Sequence, residues 1–279
     1  MNDLVIGAGY NLTWEQCRVW VNSLNASGYE GEKILVYFGE NRPLFDELNK
    51  RGFKVAVFPH LTSAHNVCVS RFGAYHALLA SAKQRYNWVV ATDVTDVVFQ
   101  SNPIPFLKNF VAHDENHVAS SENLRYNQEL WGKNNLILSF GEDQYRLMHE
   151  SIIYNAGVIA ARHERMVDVS NLVYQLCSTR LQHVFGGGGP DQAAYNVLLS
   201  ASSLNKDTAY LNHEYGWACQ CGTTMDPSKP DYIANGIHKS PKFNGTEVVT
   251  DRDVPYMIVH QYNRVPQLKE YFERKYNGN

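Results

Sequence analysis

The stretch Trp88-Val-Val-Ala-Thr-Asp-Val-Thr-Asp-Val-Val-Phe-Gln-Ser-Asn-Pro103 decides the fold. Its apolar run from Trp88 to Ala91 predicts a buried strand of a mostly parallel sheet. Two carboxylates, Asp93 and Asp96, follow this strand directly. Open α/β sheets bind ligands beyond the carboxyl ends of their strands, and buried acids need a compensating charge. The stretch therefore predicts a divalent-cation site that faces phosphate or, in a plainer interpretation, two solvated turn aspartates.

The first hundred residues alternate between strand and helix patterns. The predicted strands cover residues 4–8, 33–38, 54–58 and 88–91. The predicted helices begin at residue 13, cover residues 43–51 ahead of Gly52, and cover residues 70–86. Such repeated β-α-β units require right-handed crossovers, which give a parallel sheet.

The regular alternation of predicted strands and helices ends after residue 105. Residues 108–151 are predicted to be rich in loops and residues 207–240 to be irregular. Between and after them we predict strands at 152–161 and 256–260, helices at 167–183 and 190–200, and a four-glycine loop at 186–189. Because no repeat, linker or composition break interrupts the chain, we predict one domain over residues 1–279.

The composition indicates a folded chain that does not bind nucleic acid as its main partner. Of the 279 residues, 44% are hydrophobic and 19% charged, which is enough for a substantial core. The net charge is −3 and there is no block of Lys or Arg. The 17 tyrosines suit stacking on sugars or a base, although half-buried packing explains them equally well.

The cysteines and the start of the chain predict the compartment. An odd number of cysteines, without zinc-site spacing, indicates a reducing environment. They are Cys17, Cys68, Cys177, Cys219 and Cys221. With no signal peptide or transmembrane span in the sequence, we expect a soluble, cytoplasmic protein unless a leader preceded it.

A glycine pair follows the first predicted strand. Gly7-Ala8-Gly9 resembles the start of a dinucleotide-binding loop, but the third small residue of that fingerprint is replaced by Leu12. A Rossmann cofactor site is therefore disfavoured. The backbone of Gly7, Ala8, Gly9 and Tyr10 could still approach a base or ribose closely.

Two further segments place polar residues next to apolar runs. Asn155 and Gly157 interrupt the strand at 152–161, which predicts either a site or a β-bulge in which Asn155 satisfies local backbone groups. Asp191 and Gln192 follow the glycine loop and Pro190. Asp191 is either a first-turn acid that complements the helix dipole or a carboxylate at the mouth of a site.

The last predicted strand ends at His260. A lone histidine is more often a packing residue than a ligand. Here it precedes Tyr262 and Arg264, which could contact a base and a phosphate, respectively.

Taken in this order, the segments make the chain resemble glycosyltransferases of the GT-A fold, in particular glycogenin-like enzymes and their bacterial, algal and viral relatives. The resemblance covers nearly the whole chain. It implies a single GT-A (nucleotide-diphospho-sugar transferase) domain of α/β class, with a Rossmann-like, mostly parallel central sheet flanked by helices. Residues 1–105 would form the nucleotide-binding half and residues 106–279 the acceptor and sugar-binding half.

The resemblance also implies roles for individual residues. Asp93-Val-Thr-Asp96 is similar to the family's Asp-x-Asp motif, with one extra residue between the acids. Asp96 then corresponds to the metal-binding Asp, while Asp93 would contact the metal or the ribose. His260 would complete the metal shell. Asn155 and Gly157 would line the sugar site, and Asp191 with Gln192 would position the donor sugar or the acceptor.

These residue types suit departure of a nucleoside diphosphate. A metal held by two carboxylates and an imidazole would neutralise the developing charge, and this ligand set admits Mn²⁺ more readily than Mg²⁺. Arg71 would pair with phosphate or with an acid of the motif, unless it is a surface helix charge. An inverting enzyme needs a general base, for which Asp191 comes first and Glu122 second; a retaining enzyme would use Asp191 to orient the sugar. Sugar stacking or core packing is expected for three aromatic residues, Trp131, Tyr215 and Trp217.

The leading hypothesis is a metal-dependent transferase that uses a nucleotide-sugar. By resemblance alone a UDP-sugar is favoured and a GDP-sugar is possible, with a glycan, glycolipid or protein as acceptor. The alternatives are a non-catalytic glycan- or nucleotide-sugar-binding protein of the same fold, and a metal-dependent phosphohydrolase or nucleotidyltransferase.

Overall fold

The computed structural model describes residues 2–184, 187–201 and 203–277. Up to residue 110 the elements are β1 (Leu4–Tyr10), α1 (Trp14–Ala26), β2 (Glu32–Phe38), α2 (Arg42–Lys50), β3 (Lys54–Phe58), α3 (Val67–Ala80), β4 (Val89–Thr92), β5 (Val97–Phe99) and α4 (Pro103–Phe110). The later elements are β6 (His117–Arg125), α5 (Leu130–Phe140), α6 (Glu142–Met148), β7 (Ile152–Ala161), α7 (His163–Ser178), α8 (Asp191–Ala201), β8 (Thr208–Leu211), β9 (Ala218–Gln220), α9 (Cys221–Thr224), α10 (Pro230–Ala234), β10 (Lys242–Phe243), β11 (Val248–Val249), β12 (Ile258–His260) and α11 (Pro266–Lys275). Short 3-10 turns cover Ser203–Asp207, His213–Tyr215 and Tyr262–Arg264.

Parallel strands form the first part of the large sheet, in the order β3-β2-β1-β4. The predicted β-α-β rhythm is confirmed. Two helices begin at polar caps: the side chain of Asn41 accepts from the Leu44 N–H before α2, and that of Asn66 accepts from the Cys68 N–H before α3. The second cap explains why α3 begins at Val67, ahead of the predicted residue 70; it also ends earlier, at Ala80.

Antiparallel pairing enters the sheet in the second half of the chain. β7 pairs antiparallel with both β4 and β6, and β8 joins β6 in parallel, so the full order is β3-β2-β1-β4-β7-β6-β8. The strand at residues 152–161 has its predicted bounds. The prediction of loops at residues 108–151 is wrong, because they contain β6, α5 and α6. The strand β6 was not predicted because residues 120–123 are all polar, although the structure buries all four of them.

A smaller sheet, β5-β12-β9, lies at the carboxyl end of β4. β12 pairs antiparallel with β5, where His260 is the partner of Val97, and parallel with β9. The last strand is shorter than the predicted 256–260. Residues 207–240, predicted to be irregular, contain β8, β9 and two short helices. The pairing of β12 with β5 therefore places His260 next to the turn that contains Asp96.

Helices cover both faces of the large sheet. Residues of α1, α2 and α4 pack on one face, and residues of α3, α7 and α8 pack on the other. Trp20 of α1 is fully buried and its Nε1 donates to Thr92 Oγ1 at 2.8 Å. The core therefore anchors the end of β4 one residue before Asp93. No helix among the described residues has the length and apolar character that a membrane crossing requires.

Candidate metal centre

The turn after β4 brings the two acids of the Asp-Val-Thr-Asp stretch to the edge of the sheet. Asp93 continues the sheet pairing, because its N–H donates to the carbonyl of Gly157 at 2.8 Å. Asp96 directly precedes β5. Gly7 allows this turn to approach β1, since a Cβ at Gly7 would lie 2.4 Å from Val94 Cγ2. Both acids thus lie where open α/β sheets bind ligands.

His260 forms a cluster with these acids. Its Nε2 lies 3.3 Å from Asp93 Oδ2 and 3.7 Å from Asp96 Oδ1. One potential ligand atom from each residue lies within 4.8 Å of the other two. The structure therefore brings together all three residues predicted to bind a metal.

The unpaired atoms of the cluster fit a divalent cation. His260 Nε2 and Asp96 Oδ1 are buried and have no hydrogen-bond partner among the described residues. Such atoms are rare, because buried polar groups are nearly always paired. Mn²⁺ or Mg²⁺ binds its ligands at about 2 Å, so one ion between the three side chains would satisfy both atoms. The imidazole favours Mn²⁺, since Mg²⁺ prefers oxygen and water.

Electrostatic interactions shift the pKa values of Asp93 and Asp96 in opposite directions. Burial raises the pKa of Asp93, but Arg71 and His260 outweigh it and hold that pKa well below its usual range. Burial and the nearby Asp93 raise the pKa of Asp96 in spite of His260. Burial lowers the pKa of His260, whereas Asp96 and Asp93 raise it, with a net rise. The ionised form is thus favoured at Asp93, and the charge of Asp96 is less fully compensated.

Arg71 of α3 connects two acids. Its Nη1 donates to Asp93 Oδ1, and its Nη2 donates to Asp191 Oδ2 at 2.9 Å and to the Ala156 carbonyl at 3.1 Å. The residue is only 7% exposed, so the alternative of a surface helix charge is wrong. Burial lowers the pKa of Arg71, but the two aspartates raise it well above its usual value. Arg71 therefore stays charged and holds Asp191 beside Asp93.

The start of α8 presents Asp191 and Gln192 to the same region. Asp191 is buried, and burial raises its pKa although Arg71 opposes the rise. It lies in the first turn of α8, so it also complements the helix dipole, as the plainer interpretation expected. Gln192 Oε1 accepts from Asn155 Nδ2 at 3.3 Å and from the Ala156 N–H at 3.4 Å. The two residues are held towards β7 rather than towards solvent.

Glu122 and Asn155 form a buried polar network next to the cluster. Asn155 Nδ2 donates to Glu122 Oε1 at 2.5 Å, and Asn155 Oδ1 accepts from the Gly157 N–H at 2.6 Å. Glu122 Oε2 accepts from the Thr223 hydroxyl at 2.9 Å. Burial raises the pKa of Glu122, and the bond from Asn155 acts against that rise. Both oxygens of Glu122 are engaged, which suits a positioning role better than that of a free base.

A bulge in β7 makes room for the cluster. The pairing of β6 with β7 shifts between Ala119 and Ser120, so that the segment around Gly157 is unpaired on that side. A Cβ at Gly157 would lie 2.5 Å from His260 Cε1 and 2.8 Å from Asp93 Oδ2. The sequence predicted either a bulge or a site for this segment. The structure has the bulge, and the bulged segment packs against His260 and Asp93 of the cluster.

The glycine segment after β1 packs closely. A Cβ at Gly9 would lie 2.1 Å from Leu12 Cδ1, so this glycine serves a local turn. Ala8 is partly buried, and the Tyr10 ring packs edge-on against His60 with 5.0 Å between centroids. Because β1 is the neighbour of β4, this segment lies beside the acids, and its contact with a base stays a prediction.

The residues that follow β12 separate into a core residue and a surface residue. Tyr262 is 3% exposed and its ring packs against Phe272, which gives it a packing role in place of the expected base contact. Arg264 is exposed. Burial raises the pKa of Asp96, and the charge of Arg264 acts against that rise, which puts Arg264 within electrostatic reach of the cluster.

The predicted stacking residues differ in exposure. Trp217 is 1% exposed, packs against Phe106 and donates from Nε1 to Ser120 Oγ at 3.0 Å, so it is a core residue and the stacking interpretation is wrong for it. Tyr215 is 51% exposed on a 3-10 turn. Trp131 is half-buried and its Nε1 donates to the Gly187 carbonyl at 3.3 Å. Tyr215 and Trp131 remain available to a sugar.

The glycine loop before α8 lies against α3 and α5. Gly186 is outside the described residues. Asn66 Nδ2 donates to the Gly188 carbonyl at 3.0 Å, and Asn135 Nδ2 donates to the Gly189 carbonyl at 2.9 Å. Side chains from two helices thus hold the described part of the loop close to Asp191.

Gln220 and Thr223 belong to the site but were not predicted from the sequence. Gln220 Oε1 lies 2.7 Å from His260 Nδ1, and Thr223 bonds Glu122. The only signal in the sequence was a polar residue between Cys219 and Cys221. All five cysteines are free thiols, and four of them are buried.

A cavity of about 690 Å³ lies at the opposite edge of the sheet, near the start of β4 and of α7. Arg85, Arg162 and Arg165 line it together with Glu164. Arg85 pairs with Glu164 and Arg165 pairs with Asp207, so most of its positive charge is already compensated.

Comparison with known proteins identifies the fold. No protein-family model matches the sequence, and no curated protein does. The glycosyltransferase GlyE of Streptococcus pneumoniae TIGR4, in its apo form, superposes with a TM-score of 0.54 and 14% identity over 94% of this chain and 54% of that chain. This chain therefore spans about half the length of GlyE.

Two other solved structures match over most of their length. The galactosyltransferase LgtC, in complex with donor and acceptor sugar analogs, gives a TM-score of 0.54 and 15% identity over 92% of this chain and 86% of that chain. Mouse xyloside xylosyltransferase 1 gives a TM-score of 0.55 and 12% identity over 92% of this chain and 97% of that chain. The chain has the GT-A fold of these glycosyltransferases, which confirms the predicted fold class.

Proposed function

We propose that the chain is a metal-dependent glycosyltransferase, which moves a sugar from a nucleoside-diphosphate donor to a hydroxyl group of a glycan, glycolipid or protein. The observation that carries the proposal is the cluster of Asp93, Asp96 and His260 at the carboxyl edge of a GT-A sheet. A UDP-sugar is favoured and a GDP-sugar is possible, on family resemblance alone.

The three side chains of the cluster would hold Mn²⁺ or, less readily, Mg²⁺. When bound, the cation supplies positive charge to the diphosphate, which becomes more negative as the bond to the sugar breaks. Arg264, which is exposed and acts on Asp96, would add a second positive charge on the phosphate side. Residues 1–105, including the segment from Gly7 to Tyr10, would bind the nucleoside.

Residues 106–279 would bind the sugar and the acceptor. Arg71 binds Asp191 and Asp93 together, so the carboxylate of Asp191 is placed to accept hydrogen bonds from donor-sugar hydroxyls. Glu122 would act through Asn155, whose amide it orients, and Gln192 would share that task. The Oδ2 atom of Asp191 already accepts a hydrogen bond from Arg71 Nη2 at 2.9 Å, which favours an orienting role for Asp191 over that of a general base.

A thermal-shift screen tests the binding step. UDP, GDP, CDP and dTDP are each added with and without Mn²⁺ to the wild type and to a variant carrying Asp93→Ala and Asp96→Ala. Stabilisation that needs both the metal and one nucleotide, and that is lost in the variant, supports the proposal and identifies the base. A matched control carries Asp143→Ala and Glu150→Ala, two exposed acids outside the site.

Release of nucleoside diphosphate from nucleotide-sugars tests the chemical step. A transferase releases it faster when a hydroxyl acceptor is added, and the sugar appears on the acceptor. Release that is unaffected by any acceptor favours a phosphohydrolase or another hydrolytic activity. Metal-dependent nucleotide binding without release favours a non-catalytic binding protein. Equal stabilisation of wild type and the Asp93→Ala, Asp96→Ala variant rejects the cluster as the site.

A further inference from the structure

Gln220 contacts the histidine of the cluster directly. Its Oε1 lies 2.7 Å from His260 Nδ1, and the two side chains are 0% and 2% exposed. Gln220 and His260 are register partners in the parallel pair of β9 and β12. Side chains of register partners leave a sheet on the same face, so the contact follows from the strand pairing itself.

This contact selects one form of the imidazole. With Oε1 of Gln220 facing the ring, Nδ1 of His260 carries the proton and donates it, because an amide oxygen can only accept a hydrogen bond. Nε2 of Gln220 is then buried and has no hydrogen-bond partner among the described residues. The lone pair of a neutral ring then lies on Nε2, the atom that faces Asp93 and Asp96 and has no hydrogen-bond partner among the described residues. The atom that is left free is the one a cation between the two acids needs.

Gln220 is itself held in place. It precedes α9, and its carbonyl accepts the hydroxyls of Thr224 at 2.8 Å and Thr223 at 3.2 Å. Directly after β12, Gln261 has φ +58° and its Oε1 accepts from the Gly222 N–H at 3.1 Å. A non-glycine residue with positive φ persists where the surrounding structure determines the backbone. The backbone is thus fixed on both sides of the Gln220–His260 contact.

We infer that Gln220 is a positioning residue of the metal site: it holds the ring and the tautomer of His260 so that Nε2 can bind a divalent cation. The inference rests on the proposed function only through the presence of that cation. An amide does this without adding a third negative charge beside Asp93 and Asp96. Partners of this kind behind metal-binding histidines typically account for about 10- to 100-fold in metal affinity.

Mn²⁺ affinity, measured by electron paramagnetic resonance without nucleotide or acceptor, tests the inference. Gln220→Met keeps the length of the side chain and removes the acceptor, and Gln220→Glu keeps the acceptor. We expect Gln220→Met to weaken Mn²⁺ binding by about 10- to 100-fold. Gln220→Glu is expected to restore at least the wild-type affinity.

Gln100→Met is the matched control for loss of a buried amide. Gln100 Nε2 donates to the carbonyls of Val248 and Tyr256 at 2.9 and 2.8 Å, and its Oε1 accepts from the Val248 N–H at 2.7 Å. These bonds lie outside the cluster. The control should lower the unfolding midpoint in EDTA and leave Mn²⁺ affinity at the wild-type value.

The outcomes separate this inference from the proposed function. Wild-type affinity in Gln220→Met, together with lost affinity in Asp96→Ala, overturns the role of Gln220 and leaves the metal site standing. Equal affinity in wild type, Gln220→Met and Asp96→Ala overturns both. Weak binding in Gln220→Met that Gln220→Glu does not restore also overturns the inference, because the loss then comes from packing and not from the hydrogen bond.

Discussion

Gly157→Ala should damage the metal cluster through one added methyl group. The backbone of Gly157 does not have a positive φ, so alanine is allowed there. Its Cβ would nevertheless lie 2.5 Å from His260 Cε1, against 3.4 Å for the start of ordinary contact, so the ring must move by about 0.9 Å. Asp93 Oδ2 and Asn155 Oδ1, both at 2.8 Å, must also move. Two of the three displaced residues, His260 and Asp93, are proposed metal ligands.

Two magnitudes follow from this displacement. Misplacing a functional group by about 1 Å can cost on the order of 100-fold, so we expect Mn²⁺ affinity to fall by about 10- to 100-fold. Overpacking a well-packed interior typically costs about 1–3 kcal/mol of unfolding free energy. Mn²⁺ titration by electron paramagnetic resonance measures the first, and urea unfolding in EDTA measures the second.

Gly132→Ala is the control for overpacking alone. Its Cβ would lie 2.7 Å from Glu129 Oε2 and 2.9 Å from Ile153 Cδ1, which is a clash of similar size outside the cluster. It should lower stability without changing Mn²⁺ affinity. If Gly157→Ala binds Mn²⁺ as tightly as the wild type, the close packing of Gly157 against His260 and Asp93 does not shape the metal site, and the reasoning is refuted.

The charges of the site give two further predictions, and a buried histidine outside it gives a third. Asp96→Asn should stabilise the protein in EDTA at pH 7, because it removes a partly buried carboxylate whose pKa is raised, whereas Asp93→Asn should destabilise it by weakening the pair with Arg71. Urea midpoints that shift in the same direction would contradict this. Arg71→Met should lower the free energy of unfolding by about 3–5 kcal/mol, because it leaves the buried carboxylate of Asp191 without its cationic partner. Arg85→Met, at an exposed pair, should lower it by under about 1 kcal/mol, and equal losses in urea unfolding would refute the buried pairing. Burial lowers the pKa of His213 to about 3, so below pH 6.5 the unfolded chain binds a proton that the folded chain does not, and stability falls as the pH falls. His213→Leu should therefore remove about 2 kcal/mol of the stability lost between pH 7 and pH 5, and an unchanged loss in urea unfolding at the two pH values would argue against a neutral, buried His213.

The sequence predicted those parts of the site that stand at the ends of apolar strands. The acids after β4 and His260 at the end of β12 each follow a run of buried residues, so their position at a sheet edge could be derived from the pattern. The same argument located Asn155 within β7. A polar residue that interrupts a buried strand is conspicuous because burial without a partner is costly.

Other parts of the site depended on contacts that no local pattern encodes. Arg71 lies on a helix and looks like any helical charge until α3 is placed against the acids. β6 was missed because its polar residues face the network of Glu122 and Asn155, so that it lacks the apolar period of a strand. Gln220 became part of the site only through its register with His260. Such residues are defined by pairing across the sheet, and the sequence alone does not give that register.

The balance of charge explains why these residues are gathered at one edge. The carboxylates of the site are those of Asp93, Asp96, Asp191 and Glu122, and one buried guanidinium, that of Arg71, faces them. Burial acts to raise the pKa of all four acids; the net shift is upward for Asp96, Asp191 and Glu122, and downward for Asp93, where Arg71 and His260 outweigh burial. Such an arrangement is unfavourable for stability alone, since buried charges without partners are costly. The proposed divalent cation would make it favourable, because it would add positive charge beside the carboxylates. Asp96 Oδ1 and His260 Nε2, which have no hydrogen-bond partner among the described residues, lie where that cation would bind.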